Sequence, residues 1–203
     1  MEKTNIDSTE QKIKEAARRV FIKKGFAATR TRDIAEAADI NLALVNYYFR
    51  SKSKLFEIIM METLGGFLKE MLVVLNERET SLQEKIAQVA SRYIDLIIKE
   101  PEIPTFIITE AKLNPQLLAS KLPIKQLLEN SVFFGQHREM VDKGLLLEPN
   151  PIHFLLNLIG MVVFPFLAKP LLMEGASLDE VEFKRIMLER KDLIPLWMKA
   201  MMR

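Results

Sequence analysis

The sequence predicts an all-α protein, with an N-terminal three-helix head over residues 1–54 joined by a long helix to a larger helical body over 55–203. Three observations predict it. Apolar residues recur at helical spacing along nearly the whole chain, and strict alternation never persists long enough for a convincing strand. Start and stop signals for helices punctuate that pattern. Three short elements fall within residues 9–49 around a compact turn at 38–41, the outline of a helix-turn-helix with a supporting first helix.

Each element has its own reason. Ser8 with Gln11 three residues later makes a capping-box start. Ile13, Ala16, Ala17, Val20 and Phe21 follow it as a buried stripe, and Gly25 ends the helix, which is expected over about Thr9 to Lys24. Thr29 and Thr31 suit the start of a second helix whose inner side is Ile34, Ala35 and Ala38. Asp39, Ile40 and Asn41 form the turn, and Asn41 caps a third helix ending near Phe49. Ser51 opens a long fourth helix, Lys52 to about Asn76, with Gly65 and Gly66 inside it as weak points or points of close approach. Ser81 to Lys99 is amphipathic and stopped by Pro101 and Pro104. Shorter helices follow over Pro104–Leu113 and Pro115–Lys121, with a break at Pro123. A longer one is expected from Ile124 to Lys143, stopped by Gly144. Pro151 opens a very apolar helix toward Met173, and Ser177 begins a last helix in which Pro195 predicts a kink.

Composition narrows the chemistry. The 203 residues include no cysteine and two histidines, which excludes disulfide scaffolds, Cys-ligated metals and thiol nucleophiles and leaves no His-rich metal site. No cofactor is expected. No glycine-rich phosphate loop, Gly-x-Ser-x-Gly elbow or His-Glu-x-x-His pair appears, so catalysis has no recognisable machinery. Residues 152–173 approach the length of a membrane span, but His153, Asn157, Lys169 and two prolines interrupt them; a buried or subunit-interface helix fits better than a span. The opening residues lack the apolar stretch of a secretion signal, so the cytoplasm is the expected compartment.

The net charge of +2 conceals an asymmetry. Residues 1–54 carry twelve Lys/Arg against seven Asp/Glu, and the remainder carries a small acidic excess. A basic head on a mildly acidic body suits a polyanion, although a solvated surface gives the same count. The third helix sharpens the choice. At 100° per residue, Val45 and Phe49 turn inward while Ala43, Leu44, Asn46 and Tyr47 turn outward. Asn46 can pair bidentately with adenine, Leu44 and Ala43 can touch thymine methyls, and Tyr47 and Tyr48 can donate to phosphates. Arg30 and Arg32 open the second helix and Lys52 the fourth, where helix N-termini favour anions. The alternative, that the tyrosines only pack and Asn46 only meets water, is less consistent with this agreement of cap, inner face and outer face.

The stretches Gly25-Phe26-Ala27-Ala28-Thr29, Asp33-Ile34-Ala35, Ile40 through Phe49, and Ser51-Lys52 together resemble the N-terminal DNA-binding domain of the TetR (tetracycline-repressor) family. The resemblance covers residues 9–56. It implies a one-component transcriptional regulator, usually a repressor, that binds a palindromic operator as a homodimer. It also implies an all-α C-terminal domain that binds an inducer and dimerises through its last two long helices, here about 151–173 and 177–203. Carried over by position, Leu42, Ala43, Leu44, Asn46, Tyr47 and Tyr48 would face bases and phosphates, with Thr31 and Arg32 from the second helix and Lys52 on a phosphate. Three positions depart from the family's usual pattern: Asp39 and Ala43 each stand where Gly is frequent, and Asn46 where Tyr is. Asp tolerates the left-handed turn; the other two alter groove chemistry.

For the body, the expected effector pocket is Phe67, Met71, Tyr93, Phe106, Phe133, His137, Asn157 and Met161, an apolar lining with a few polar groups. The same residues at helical spacing also describe ordinary core. Few charges interrupt the apolar runs, so a hydrophobic or amphipathic small molecule is the expected effector. A helical scaffold whose helix-turn-helix merely packs is the remaining alternative.

Overall fold

Eleven helices and no extended strand account for the described residues of the computed structural model, which are 2–116, 120 and 124–202. They are α1 (Glu2–Ala28), α2 (Thr31–Ala37), α3 (Leu42–Phe49), α4 (Lys52–Asn76), α5 (Leu82–Lys99), α6 (Ile103–Leu113), α7 (Ile124–Glu129), α8 (Val132–Asp142), α9 (Pro151–Leu167), α10 (Lys169–Gly175) and α11 (Glu180–Lys199). One isolated antiparallel bridge, Leu146 to Met202, ties the C-terminal segment to the loop after α8.

The chain divides into two compact units. The first is Met1–Leu68 with Phe106–Pro115; the second is Lys69–Thr105 with Gln116–Arg203. The first unit has a core of Ile13, Ala17, Phe21, Ile34, Val45, Phe49, Leu55, Phe56 and Ile59, all buried. Phe56 organises it, with ring centroids 5.0 Å from Phe21, 4.7 Å from Phe26 and 6.1 Å from Phe106. Each of the larger of these side chains removed from water contributes roughly 1.5–3 kcal/mol before its ordering entropy is counted.

The second unit is built on α5, whose Ile86, Val89, Tyr93, Ile94 and Ile97 are buried along one side. α9 and α11 pack on it with Phe154, Leu158, Phe183, Met187, Ile194 and Met198. Lys191 of α11 reaches Asp95 of α5 at 2.6 Å. The α4–α5 connection is tied from inside. Lys85 is fully buried, and its ammonium donates to the Glu77 carbonyl, to the Thr80 carbonyl at 2.6 Å and to the Thr80 hydroxyl at 2.8 Å. Gln136 Nε2 donates to the same Thr80 carbonyl at 2.7 Å.

Several boundaries differ from expectation for identifiable reasons. The backbone is helical from Glu2, ahead of the Ser8 start, and Gly25 interrupts α1 at φ 72° and ψ 169°. The expected Ile124–Lys143 helix is two, because Ser131 caps anew: its hydroxyl accepts from Phe134 N at 3.2 Å and donates to the Leu128 carbonyl at 2.6 Å. The apolar helix toward Met173 breaks at Ala168 and bends by 56° into α10. Pro170 lacks the N–H that a continuing helix needs. The last helix begins at Glu180, with Asp179 as its cap, and passes through Pro195 without ending. Gly65 and Gly66 have nothing within 4 Å of an added Cβ, so neither marks a close approach among the described residues. Residues 115, 116 and 120 are helical; the expected end of that helix at Lys121 and the break at Pro123 lie outside the described residues. Among the described residues no single helix is long and apolar enough to cross a membrane.

Candidate nucleic-acid interface

The turn between α2 and α3 explains how an Asp holds a place often given to Gly. Asp39 adopts φ 50°. Its N–H bonds Glu36 O at 3.1 Å, and Ile40 N bonds Ala35 O at 3.1 Å. These are the paired bonds of a Schellman ending, which needs one left-handed residue. Asn41 follows as the cap of α3, with Oδ1 accepting from Ala43 N at 2.8 Å.

α3 then presents two faces. Val45 and Phe49 are buried against α2, whereas Ala43, Leu44, Asn46 and Tyr47 are exposed, Tyr47 at 78%. Leu42 and Tyr48 are half-buried. The rings of Tyr47 and Tyr48 meet edge-on at 5.4 Å, which orients both hydroxyl-bearing rings at the helix C-terminal half. An exposed phenol, an amide and apolar side chains side by side are the kinds of group that can donate, accept and make methyl contacts in a groove.

The flanks are basic. Arg30 and Arg32 are exposed at the start of α2, and Thr31 is half-buried. Asp33 Oδ2 accepts from Arg30 N at 2.9 Å and lies 3.2 Å from Lys24 Nζ. The Arg30 N–H, then Lys24, hold this carboxyl below its usual range. It therefore stays charged and caps the helix. Arg50, at φ 60°, terminates α3 as an exposed base beside the outer face. Sequence reasoning did not single it out, although its place between Phe49 and the Ser51 cap marks a chain reversal.

Lys52 behaves differently from the other cations. Its ammonium donates to the Phe26 and Thr29 carbonyls, both at 2.9 Å, and stands 4.2 Å from the Phe26 ring centroid. Thr29, itself buried, returns its hydroxyl to Gly25 O at 2.7 Å. Lys52 thus binds the α1–α2 corner, and what it leaves toward an anion is its remaining donor capacity and the open first turn of α4.

Residues 13–59 match the family model described as "Bacterial regulatory proteins, tetR family". Over 97% of its length the chain is 26% identical to "Probable HTH-type transcriptional regulator YttP" of Bacillus subtilis (strain 168), covering 95% of that protein. Residues 13–59 are therefore a TetR-family DNA-binding domain. The curated relatives that the chain matches are transcriptional regulators and not enzymes. "HTH-type transcriptional repressor NicS" of Pseudomonas putida is 32% identical over 51% of this chain and 49% of its own. "Fatty acid metabolism regulator protein" of B. subtilis is 25% identical over 67% of this chain and 70% of its own. Among solved structures, a TetR family transcription regulator from Marinobacter aquaeolei shares the fold at TM-score 0.69 and 18% identity, with 100% and 98% of the two chains covered. HlyIIR, a hemolysin II transcriptional regulator, does so at TM-score 0.60 and 17% identity, covering 98% and 99%.

The residues expected around an effector fall in both compact units. Phe67 and Phe106 belong to the first compact unit, and Met71, Tyr93, Phe133, His137, Asn157 and Met161 to the second. Within the second, Phe133 and His137 meet Phe154 at 6.1 and 5.3 Å in fully buried positions. Tyr93 is buried, and its hydroxyl is pushed to higher pKa chiefly by that burial. Asn157 is exposed instead, donating to Met201 Sδ at 3.6 Å, and Met161 is half-buried, its carbonyl accepting from Arg190 at 2.8 Å. A cleft of about 460 Å³ lies elsewhere in that unit, lined by Ile97, Ile98, Pro101, Phe166 and Phe183 with Lys169, Lys184 and Glu180 at its polar part. No group of three or more metal-ligating side chains occurs among the described residues.

Proposed function

We propose that this protein is a cytoplasmic homodimeric TetR-family repressor that reads a palindromic operator and is released by a small hydrophobic or amphipathic effector. The observation that carries operator reading is the division of α3: Val45 and Phe49 hold it from inside while Ala43, Leu44, Asn46 and Tyr47 stand in solvent. In this reading residues 1–54 are the DNA-binding domain and 55–203 the effector and dimerisation domain. Asn46 reads a base, Leu42, Ala43 and Leu44 contribute apolar contacts, and Arg30, Thr31, Arg32, Tyr47 and Tyr48 serve the phosphate backbone, while Lys52 supports them chiefly by holding the α1–α2 corner.

The dimer is supported by what α9 and α11 leave uncovered. Leu156, Phe164, Val181, Leu196 and Trp197 are each at least 41% exposed. Large apolar side chains in such number on two neighbouring helices mark a partner surface rather than scattered exposure. Two heads in a dimer would meet half-sites ~34–36 Å apart. Repression agrees with the name of the NicS relative. An effector with an apolar body agrees with the lining of the 460 Å³ cleft and with a relative named for fatty acid metabolism.

The test is selection of bound duplexes from a random library at about 150 mM salt, where nonspecific phosphate contacts are weakened. Wild type is compared with Asn46→Ala. A recovered palindrome, weakened or altered by the substitution at one position of each half-site, supports the reading. Only salt-sensitive binding without sequence preference would replace it with general phosphate affinity.

A further inference from the structure

Glu110 is a charged side chain in a place built for apolar ones. It lies on α6, 3% exposed, in the stretch Phe106–Pro115 that clusters with the first 68 residues. Its Oε1 accepts from the backbone N–H of Phe26 at 3.2 Å across 84 positions of sequence. Its Oε2 meets no donor among the described residues. Burying a carboxylate with half its acceptors unused is costly, and a Leu or Met would fill the volume without that cost. The one bond it makes is therefore what distinguishes it from filler.

That bond falls at a particular point. Phe26 follows Gly25, whose φ of 72° turns the chain from α1 toward α2. Lys52 takes the Phe26 carbonyl at 2.9 Å and the Thr29 carbonyl at the same distance. Both backbone groups of Phe26 are thus held by ionisable side chains from different helices, while its ring packs on Phe56. Thr29 stands two residues before α2, and α2 carries Ile34 and Ala35 into the core shared with α3.

We propose that Glu110 is a positioning residue for DNA recognition, acting through the Phe26 amide to set the α1–α2 corner and so the placement of α2 and α3. The inference rests on the operator-reading function above. With the acceptor gone, the corner samples other geometries and only the competent fraction binds, which lowers apparent affinity in proportion.

Glu110→Gln keeps an acceptor at Oε1, and Glu110→Ala removes it. Three measurements are made on the full chain: affinity for the duplex recovered by selection, thermal unfolding, and hydrogen exchange of the Phe26 amide. The expected result is Phe26 protection in wild type and E110Q, with E110Q within about threefold of wild-type affinity. E110A, still folded, loses that protection and binds about tenfold more weakly, the scale of one bond to a charged acceptor. Wild-type affinity in E110A, or equal losses in both variants, overturns the proposal. If E110A does not fold, Phe26 exchange in wild type and affinity in E110Q decide: a protected amide with near-wild-type binding supports it, and an unprotected amide or weak binding overturns it. If wild type selects no duplex, the operator-reading function fails on that result alone, and Phe26 exchange still decides the clamp.

Discussion

The Lys52 ammonium lies 2.9 Å from the Thr29 carbonyl, joining the first turn of α4 to the last residues before α2. A cation in that position would ordinarily be assigned to a DNA phosphate, and its engagement here makes the two roles separable. Lys52→Met keeps the apolar stem and deletes the donors. The expected outcome is a loss of about 1–2 kcal/mol in stability, because two carbonyls lose their partner. Duplex affinity should fall while the slope of log affinity against log salt stays nearly constant. A slope reduced by about 0.9, the signature of one lost phosphate contact, would assign Lys52 chiefly to the DNA.

Asp39 holds φ 50° at the turn. Asp39→Ala should destabilise by about 1 kcal/mol, since the left-handed conformation is unfavourable for a side chain that cannot hydrogen-bond locally. Asp39→Gly should leave stability within a few tenths of wild type or raise it. Urea denaturation of the three proteins checks this. Equal stability of the alanine and glycine variants would mean that the turn relaxes.

His137 is fully buried against Phe154, and burial holds its imidazole below the ordinary 6.5, with Glu148 acting weakly in the other direction. The unfolded chain takes up this proton near 6.5 and the folded chain only at lower pH. The unfolded state therefore binds more protons in that window, and stability falls as pH drops below about 6.5. His137→Phe should flatten this part of the curve. Urea midpoints of both proteins between about pH 7 and pH 5 provide the comparison; identical slopes would remove His137 from the account.

Phe164, 66% exposed on α9, offers the simplest test of the dimer. Phe164→Glu places a charge where a partner surface is proposed. Sedimentation at micromolar concentration should show a dimer for wild type and a shift toward monomer for the variant, with helicity unchanged. A wild-type monomer at that concentration would end the dimer proposal.

What the sequence disclosed depended on how local its cause was. The Lys52–Asn76 span, the faces of α3 and the Asp39 turn follow from residues within a few positions of one another, and each appears where its caps and periodicity put it. The split at Ser131 was hidden because apolar spacing continues across it, and only the serine's backbone bonds show the new start. The exposure of Asn157 was hidden for a related reason. α9 is apolar on most sides, so periodicity does not reveal which of them meets solvent. The inward turn of Lys52 and the reach of Glu110 end on backbone groups, at separations of 26 and 84 residues. A backbone acceptor or donor carries no side-chain signature, so such partners are not legible in a one-dimensional pattern.

Lys85, sealed beneath the α4–α5 connection with all its donors engaged, also has a chemical consequence. Amine-modifying reagents should reach the surface lysines long before it. Its labelling would wait for the region around Thr80 to open, a rare excursion whose frequency is set by local stability. Followed by mass spectrometry, the slow appearance of that one adduct would serve as a clock for how often the folded molecule comes apart there.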